Sequence, residues 1–139
     1  MYIFTETHQF TTKGDCDIVN VSEELLNSLH KSKMKTGNVT VFVVGSTASI
    51  STIEYEPGLK RDLPEMLDKF IPTSRKYHHN DTWGDNNGHS HLRSTLFGCS
   101  QTIPFVNGDL LLGTWQQVIL IDFDERPRNR KVVFQFIGE

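Results

Sequence analysis

At 139 residues with a formal net charge of −3, the chain has the length of one domain and the wrong sign for a nucleic-acid binder that works through a broad basic face. Hydrophobic residues make up 37% and charged residues 22%, enough for a core, yet the longest apolar runs (41–45 and 118–121) are far too short to cross a bilayer. The two cysteines, Cys16 and Cys99, are too few for a disulfide framework, and neither belongs to a CxxC motif, so no zinc knuckle is expected.

Each cysteine is expected as a small buried hydrophobe. The opening MYIFTETHQF lacks the basic flank and long apolar stretch of a secretory signal, so a cytoplasmic location is expected, with no membrane or nucleic-acid partner. No repeat, low-complexity segment or linker divides the chain, so residues 1–139 are expected to form one domain.

Alternation over residues 2–7 predicts a strand, residues 13–15 a turn, and residues 16–21 a second strand. Ser22 followed by Glu23 and Glu24 predicts a helix start, with a hydroxyl cap and acids at the positive end of the dipole. Leu25, Leu26 and Leu29 form its apolar stripe, and Gly37 is its expected stop. The β-branched run 39–44 predicts a central strand buried on both faces. Residues 46–56 continue as β. Asp62 is the expected cap of a short helix carrying Leu63, Met66, Leu67 and Phe70, ended by Pro72.

Residues 77–91 read YHHNDTWGDNNGHSH and hold four of the six histidines. The beginning reads as a loop. Asn87 is the expected cap of a further helix with Leu92, Thr95 and Leu96 on its stripe and Gly98 at its end. Residues 102–106 are again β-prone, AsnGlyAsp (107–109) is a hairpin signal, residues 115–123 form a long strand, 124–130 a charged turn, and 131–137 a last strand. About eight strands and three short helices give an α+β domain dominated by antiparallel sheet. Sheet edges need protection, which oligomerisation can provide.

Clustered imidazoles suggest metal or proton chemistry; an accidentally His-rich surface loop is the bland alternative. On a strand, an HxH pair shares a face, but on a helix His89 and His91 stand about 200° apart, since each residue turns about 100°. Only one should therefore enter a site, and His91 is the expected one. His79 would arrive from the loop as a second ligand. Two neutral imidazoles with a carboxylate and a water suit Zn²⁺ or a similar divalent ion. Glu54 and Glu56 share a strand face, where one carboxylate can meet a metal or accept a proton, although an ordinary solvated edge is the plainer reading. Asp81 and Asp85 are loop carboxylates. Trp115 reads as core, and Gln116 as a ligand-orienting amide or a strand residue. Three guanidinium groups in residues 124–130 can hold phosphate bidentately, but such hairpin tips are usually solvated. There is no P-loop, dinucleotide fingerprint or nucleophile elbow.

Taken together, residues 47–54 (TASISTIE), 77–94 (YHHNDTWGDNNGHSHLRS), 107–116 (NGDLLLGTWQ) and 123–130 (FDERPRNR) strongly resemble the YjbQ family, whose members are often named secondary thiamine-phosphate synthase enzymes. The likeness runs in order along essentially the whole chain. It implies a β-rich α+β fold assembled as a homotrimer, with a polar pocket near subunit boundaries. Glu54, His79, Asn87, His91, Gln116 and Arg128 match the family's recurrent polar residues. His89 matches a less uniform position, His78 stands where relatives often carry Arg, and Asn86 replaces an Asp found in many of them.

The activity implied is the joining of a pyrimidine diphosphate to a thiazole phosphate with release of pyrophosphate. A divalent ion (Zn or Mg) beside Arg93 or Arg128 would neutralise the leaving group. The TIM barrel of the dedicated enzyme is absent, so the activity is implied as a secondary one. On this reading Glu54, His79 and His91 are catalytic and metal-ligating, while Asn87, Arg93, Gln116 and Arg128 bind the phosphorylated substrate. Two alternatives use the same pocket: hydrolysis of a small phosphorylated compound, and a non-catalytic trimer that binds a metabolite.

Overall fold

Apolar residues recur at every second position along residues 37–44 and 128–138, and this alternation builds the largest layer. The computed structural model describes all of residues 1–139. Its strands are β1 (Tyr2–Thr12), β2 (Asp17–Asn20), β3 (Gly37–Val44), β4 (Ala48–Glu54), β5 (Ser100–Val106), β6 (Asp109–Leu110), β7 (Gln116–Asp122) and β8 (Arg128–Gly138). The helices are α1 (Ser22–Ser32), α2 (Pro57–Phe70), α3 (His78–Trp83) and α4 (Gly88–Phe97). A five-stranded sheet runs β1-β8-β3-β5-β6 and a three-stranded sheet runs β2-β7-β4. Every pairing is antiparallel. No helix is long and apolar enough to cross a membrane.

The sheets face one another across a core of 17 buried residues. Val39, Val41 and Val43 of β3, Val132, Phe134 and Phe136 of β8, and Phe105 of β5 meet Ile50, Val118 and Leu120 of the smaller sheet. Leu25 and Leu29 of α1 close the same core. Each fully buried side chain of this kind contributes roughly 1.5–3 kcal/mol of transfer free energy. On its other face the three-stranded sheet offers Ile18, Ile119, Ile121 and, just beyond β7, Phe123, which pack with Leu67 of α2. The molecule is therefore layered as large sheet, small sheet, helices.

This layering corrects several sequence expectations. The strand buried on both faces is β7, whose residues Val118–Asp122 are all buried, and not β3, where Phe42 and Val44 face outward. A β-branched run reports β propensity, but what covers it decides its burial. The Ser22 hydroxyl caps nothing; it accepts from the Val118 amide at 2.8 Å and ties α1 to β7. Leu26 is exposed, and α1 stops at Lys33 in left-handed conformation, well before Gly37. Helix α2 starts at Pro57, with the Glu56 carboxylate accepting from the amides of Gly58 (2.8 Å) and Leu59 (2.5 Å). Asp62 therefore lies inside α2, and Met66 and Phe70 are exposed. Cys99 is exposed, in contrast to Cys16. Trp115 is 72% exposed rather than core, and β7 begins after it.

Candidate active site

The histidine segment is helical on both sides of a turn. Residues 78–83, expected as loop, form α3, which ends at Gly84 in left-handed conformation (φ 68°). Residues 85–87 then lead into α4. Gly88 fixes how closely the two helices approach: a Cβ there would lie 2.5 Å from Tyr77 Cβ, and its amide donates to Asn80 Oδ1 at 3.0 Å. Only a residue without a side chain fits.

This approach brings the rings of His79 and His91 into contact, tilted by 54° with centroids 4.3 Å apart. Asn87 occupies the cap position of α4 but makes no cap bond. Its amide is turned to His79 instead, 3.1 Å from Nε2. With the amide nitrogen facing its acceptors, Asn87 donates to His79 Nε2 and to both Asp85 oxygens (3.2 Å each), which fixes the His79 ring as an acceptor on that side. Asp85 itself lies 3.7 Å from His79 Nε2. The His91 pKa is lowered, first by burial and then by His79, against the opposing influence of Asp124 and Asp85. His91 is thus a neutral imidazole able to accept a proton.

The pair opens into a cavity of about 470 Å³ walled also by Arg75, Lys76, Tyr77 and His78. Tyr77 is held by a 2.6 Å bond from its hydroxyl to the Pro72 carbonyl, and the Arg75 guanidinium lies over its ring. Two cationic side chains at the rim of a cavity containing paired imidazoles suit an anionic small molecule. Neither Arg75 nor Lys76 was singled out from sequence, because their shared cavity with His91 depends on the turn at residues 84–87.

Other expected site residues fall elsewhere. Glu54 is exposed at the end of β4, opposite Gln116, and does not wall this cavity. Gln116 is exposed; its amide accepts from Gly113 N at 3.0 Å and donates to Thr52 Oγ1 at 3.1 Å, bracing its own turn. Arg93 lies on the far face of α4, buried, donating from Nε and Nη2 to the Ile71 carbonyl at 3.1 and 2.7 Å. Arg128 is paired with the Asp124 carboxylate through Nε and Nη2.

The fit to a divalent ion can be tested on donor geometry. No three His, Cys, Asp or Glu side chains of the chain converge as a metal group would. His79 Nε2 is already occupied by Asn87, and Glu54 is not among the residues that wall the cavity. One chain does not assemble the expected His79–His91–Glu54 set, so no chemical step is derived through a metal.

The tip of the charged turn (125–127) is solvated as expected, but Asp122, Asp124 and Arg130, which flank it, are buried. Arg130 makes a bidentate pair with the fully buried Asp122 (Nε 2.8 Å, Nη2 2.7 Å) and reaches Thr47 at 2.7 Å. Asp124 is buried beside it. Burial works to raise its pKa, but the Arg128 bond, the Glu125 amide and Thr47 outweigh that and lower it. The signal in sequence was the spacing itself: Asp122 and Asp124 share one face at the end of β7 just as Arg128 and Arg130 do at the start of β8, and the turn between the two sheets brings those faces together.

The profile of the family described as UPF0047 protein YjbQ-like matches residues 6–139. A UPF0047 protein of Methanothermobacter thermautotrophicus is 34% identical over 139 residues, covering 100% of this chain and 95% of its own. The UPF0047 protein YugU of Bacillus subtilis is 30% identical over 129 residues, covering 92% and 94%. Among solved structures, a YbjQ-like protein of unknown function from Sulfolobus solfataricus P2 superposes with a TM-score of 0.90 at 28% identity, covering 99% of this chain and 100% of that one. A hypothetical protein from Aeropyrum pernix K1 gives 0.86 at 32% identity, covering 96% and 99%.

Proposed function

Because the chain belongs to the UPF0047 protein YjbQ-like family, we propose that it is an enzyme acting on a small phosphorylated metabolite in the His79–His91 cavity, with thiamine-phosphate synthesis as its secondary reaction. The observation that carries this reading is the tilted imidazole pair, with centroids 4.3 Å apart, in a cavity that Arg75 and Lys76 also line. In the condensation, the thiazole nitrogen bonds to the methylene carbon of the pyrimidine as the bond from that carbon to the diphosphate oxygen breaks. Pyrophosphate leaves with the electron pair. Arg75 and Lys76 supply the positive charge that such a leaving group requires, and an imidazole N–H supplies a hydrogen bond to the departing oxygen. Asn87 and Asp85 set the orientation of His79.

A second reading follows from the neutral state of His91. In hydrolysis of a phosphate ester, His91 takes the proton of the attacking water as its oxygen bonds to phosphorus, the ester P–O bond breaks, and the proton passes to the departing alcohol oxygen while the same cations hold the phosphoryl oxygens. A homotrimer, the assembly implied by the sequence resemblance, belongs to the proposal and is checked by sedimentation.

The deciding assay offers wild type and His91→Ala both thiamine precursors and a panel of phosphate esters. Thiamine phosphate formed by wild type and lost in the variant supports the condensation. Ester turnover without condensation moves the assignment to hydrolysis. No turnover by wild type overturns the enzyme. Elemental analysis of both native proteins tests the divalent ion separately, since equal, near-zero metal removes it from the proposal.

A further inference from the structure

One flank of α4 carries more than an imidazole. His91, Leu92, Thr95 and Leu96 recur on it at helical spacing, while His89 and Arg93 on the opposite flank wall a separate cavity of about 370 Å³. Beyond His91, Leu92, Thr95 and Leu96 face Phe70 and Ile71 at the end of α2 across a groove of about 440 Å³. Arg75, Tyr77 and Leu92 line both this groove and the His79–His91 cavity, so the two adjoin at these three side chains.

The groove is firmly built and short of hydrogen-bonding groups. The Ile71 carbonyl accepts both Arg93 bonds, at 3.1 and 2.7 Å, and the Ile71 amide donates to the Leu67 carbonyl at 2.7 Å. The Tyr77 hydroxyl donates its hydrogen to the Pro72 carbonyl at 2.6 Å, and Gly88 packs against the Tyr77 side chain. What remains on offer is hydrocarbon. Phe70 is 72% exposed, Leu96 70% and Leu92 48%. Apolar surface gathered beside a polar cavity favours a ligand that can cover it.

The charges at the junction decide what kind of occupant fits. Neither Arg75 nor Lys76 belongs to an ion pair of the chain, and the Arg75 guanidinium lies 5.6 Å from the centroid of the Tyr77 ring. An apolar protein face seated on Phe70 and Leu96 would desolvate that guanidinium without a counter-charge, which is costly. A small molecule that carries its own phosphate brings the counter-charge with it as it covers the hydrocarbon.

We infer that the groove is a subsite of the His79–His91 cavity, and that the metabolite is amphipathic: a phosphate or diphosphate ester of an aromatic or branched hydrocarbon alcohol. Its phosphate meets Arg75 and Lys76 while its hydrocarbon lies between Phe70 and Leu96. This rests on the reading of the cavity as a phosphate site and narrows the substrate to that class.

The test is a nuclear magnetic resonance titration of the full chain with three probes that are not turned over: methylphosphonate, (2-naphthylmethyl)phosphonate and 2-naphthylmethanol. Both phosphonates are expected to move the His79 and His91 ring resonances. The naphthyl phosphonate should bind at least tenfold tighter than either other probe, and it alone of the two phosphonates should move the Leu92 and Leu96 methyls. Phe70→Ser and Leu96→Ser change well-exposed side chains, so the fold is retained, and each should cut the advantage of the naphthyl compound at least threefold. Equal affinity for the two phosphonates overturns the subsite and leaves the phosphate cavity standing. Naphthylmethanol binding as tightly as its phosphonate overturns the link between groove and cavity. Loss of both phosphonates removes the phosphate reading and the inference with it. Sedimentation of the same variants covers the remaining case: a smaller assembly with an undiminished naphthyl advantage gives the groove to a second copy of the chain and overturns the proposal.

Discussion

The rings of His79 and His91 meet at 4.3 Å, tilted by 54°, although one comes from a six-residue helix and the other from the first turn of the next. The arrangement keeps His91 neutral, and its lowered pKa has two consequences of known sign. The unfolded chain, with His91 near the ordinary value of 6.5, binds more protons than the folded one between the two pKa values. Stability should therefore fall as pH drops below about 6.5, and His91→Gln should flatten that fall. Urea midpoints at pH 7.5 and pH 5.5 check this. Activity that uses His91 as a base should be at its plateau by neutral pH and decline on the acid side.

Arg75 and Lys76 are expected to govern substrate capture. Arg75→Ala and Lys76→Ala should each raise KM for a phosphorylated substrate by roughly tenfold, the value of one charge-assisted contact, with a smaller change in kcat. The effect should shrink at high salt, because both side chains are partly exposed and screened. Steady-state kinetics at two ionic strengths measure it.

The Asp122–Arg130 pair should be worth far more broken than replaced. Arg130→Met leaves the Asp122 carboxylate buried without its bidentate partner and is expected to cost about 3–5 kcal/mol. Changing both, Asp122→Leu with Arg130→Met, should recover much of that loss. Chemical denaturation of the three proteins tests the ordering.

Gly88→Ala should push the two site helices apart, since the new methyl would sit 2.5 Å from Tyr77 Cβ. A loss of roughly 1–3 kcal/mol is expected, together with weakened catalysis as the imidazoles separate. A thermal melt and an assay on the same preparation distinguish this from a purely local effect.

Glu6 offers a titration independent of the site. Its pKa is lowered to about 2, first by the Lys31 ammonium and then by the Ser28 hydroxyl. The stability it contributes is complete above the ordinary value of 4.5 and is lost as pH falls toward 2. Lys31→Ala should move the carboxyl resonance of Glu6 to titrate at higher pH.

Much of the fold was legible because period-two patterns and turn residues act locally. Asn107 and Gly108 adopt left-handed conformations between β5 and β6, where the AsnGlyAsp signal put a hairpin. The depth of each strand was not legible, since Val43 and Val44 are the same residue type in one strand and only one is covered. Helix α3 escaped because its six residues carry no buried side chain and so no stripe. In the site, the spacing of residues 77–91 identified the imidazoles, but which cation or carboxylate shares their cavity is set by chain reversals beyond any spacing rule. Glu54 and Arg93 show the limit: the family resemblance implied both for the site, and neither lines the cavity of His79 and His91.

Helix α4 carries His91 on one flank and His89 with Arg93 on the other, so one rod of backbone is the partition between two chambers. A displacement of that partition enlarges one chamber at the expense of the other. A substitution that tilts α4 is therefore expected to be felt on both flanks at once, at His91 and at His89 with Arg93.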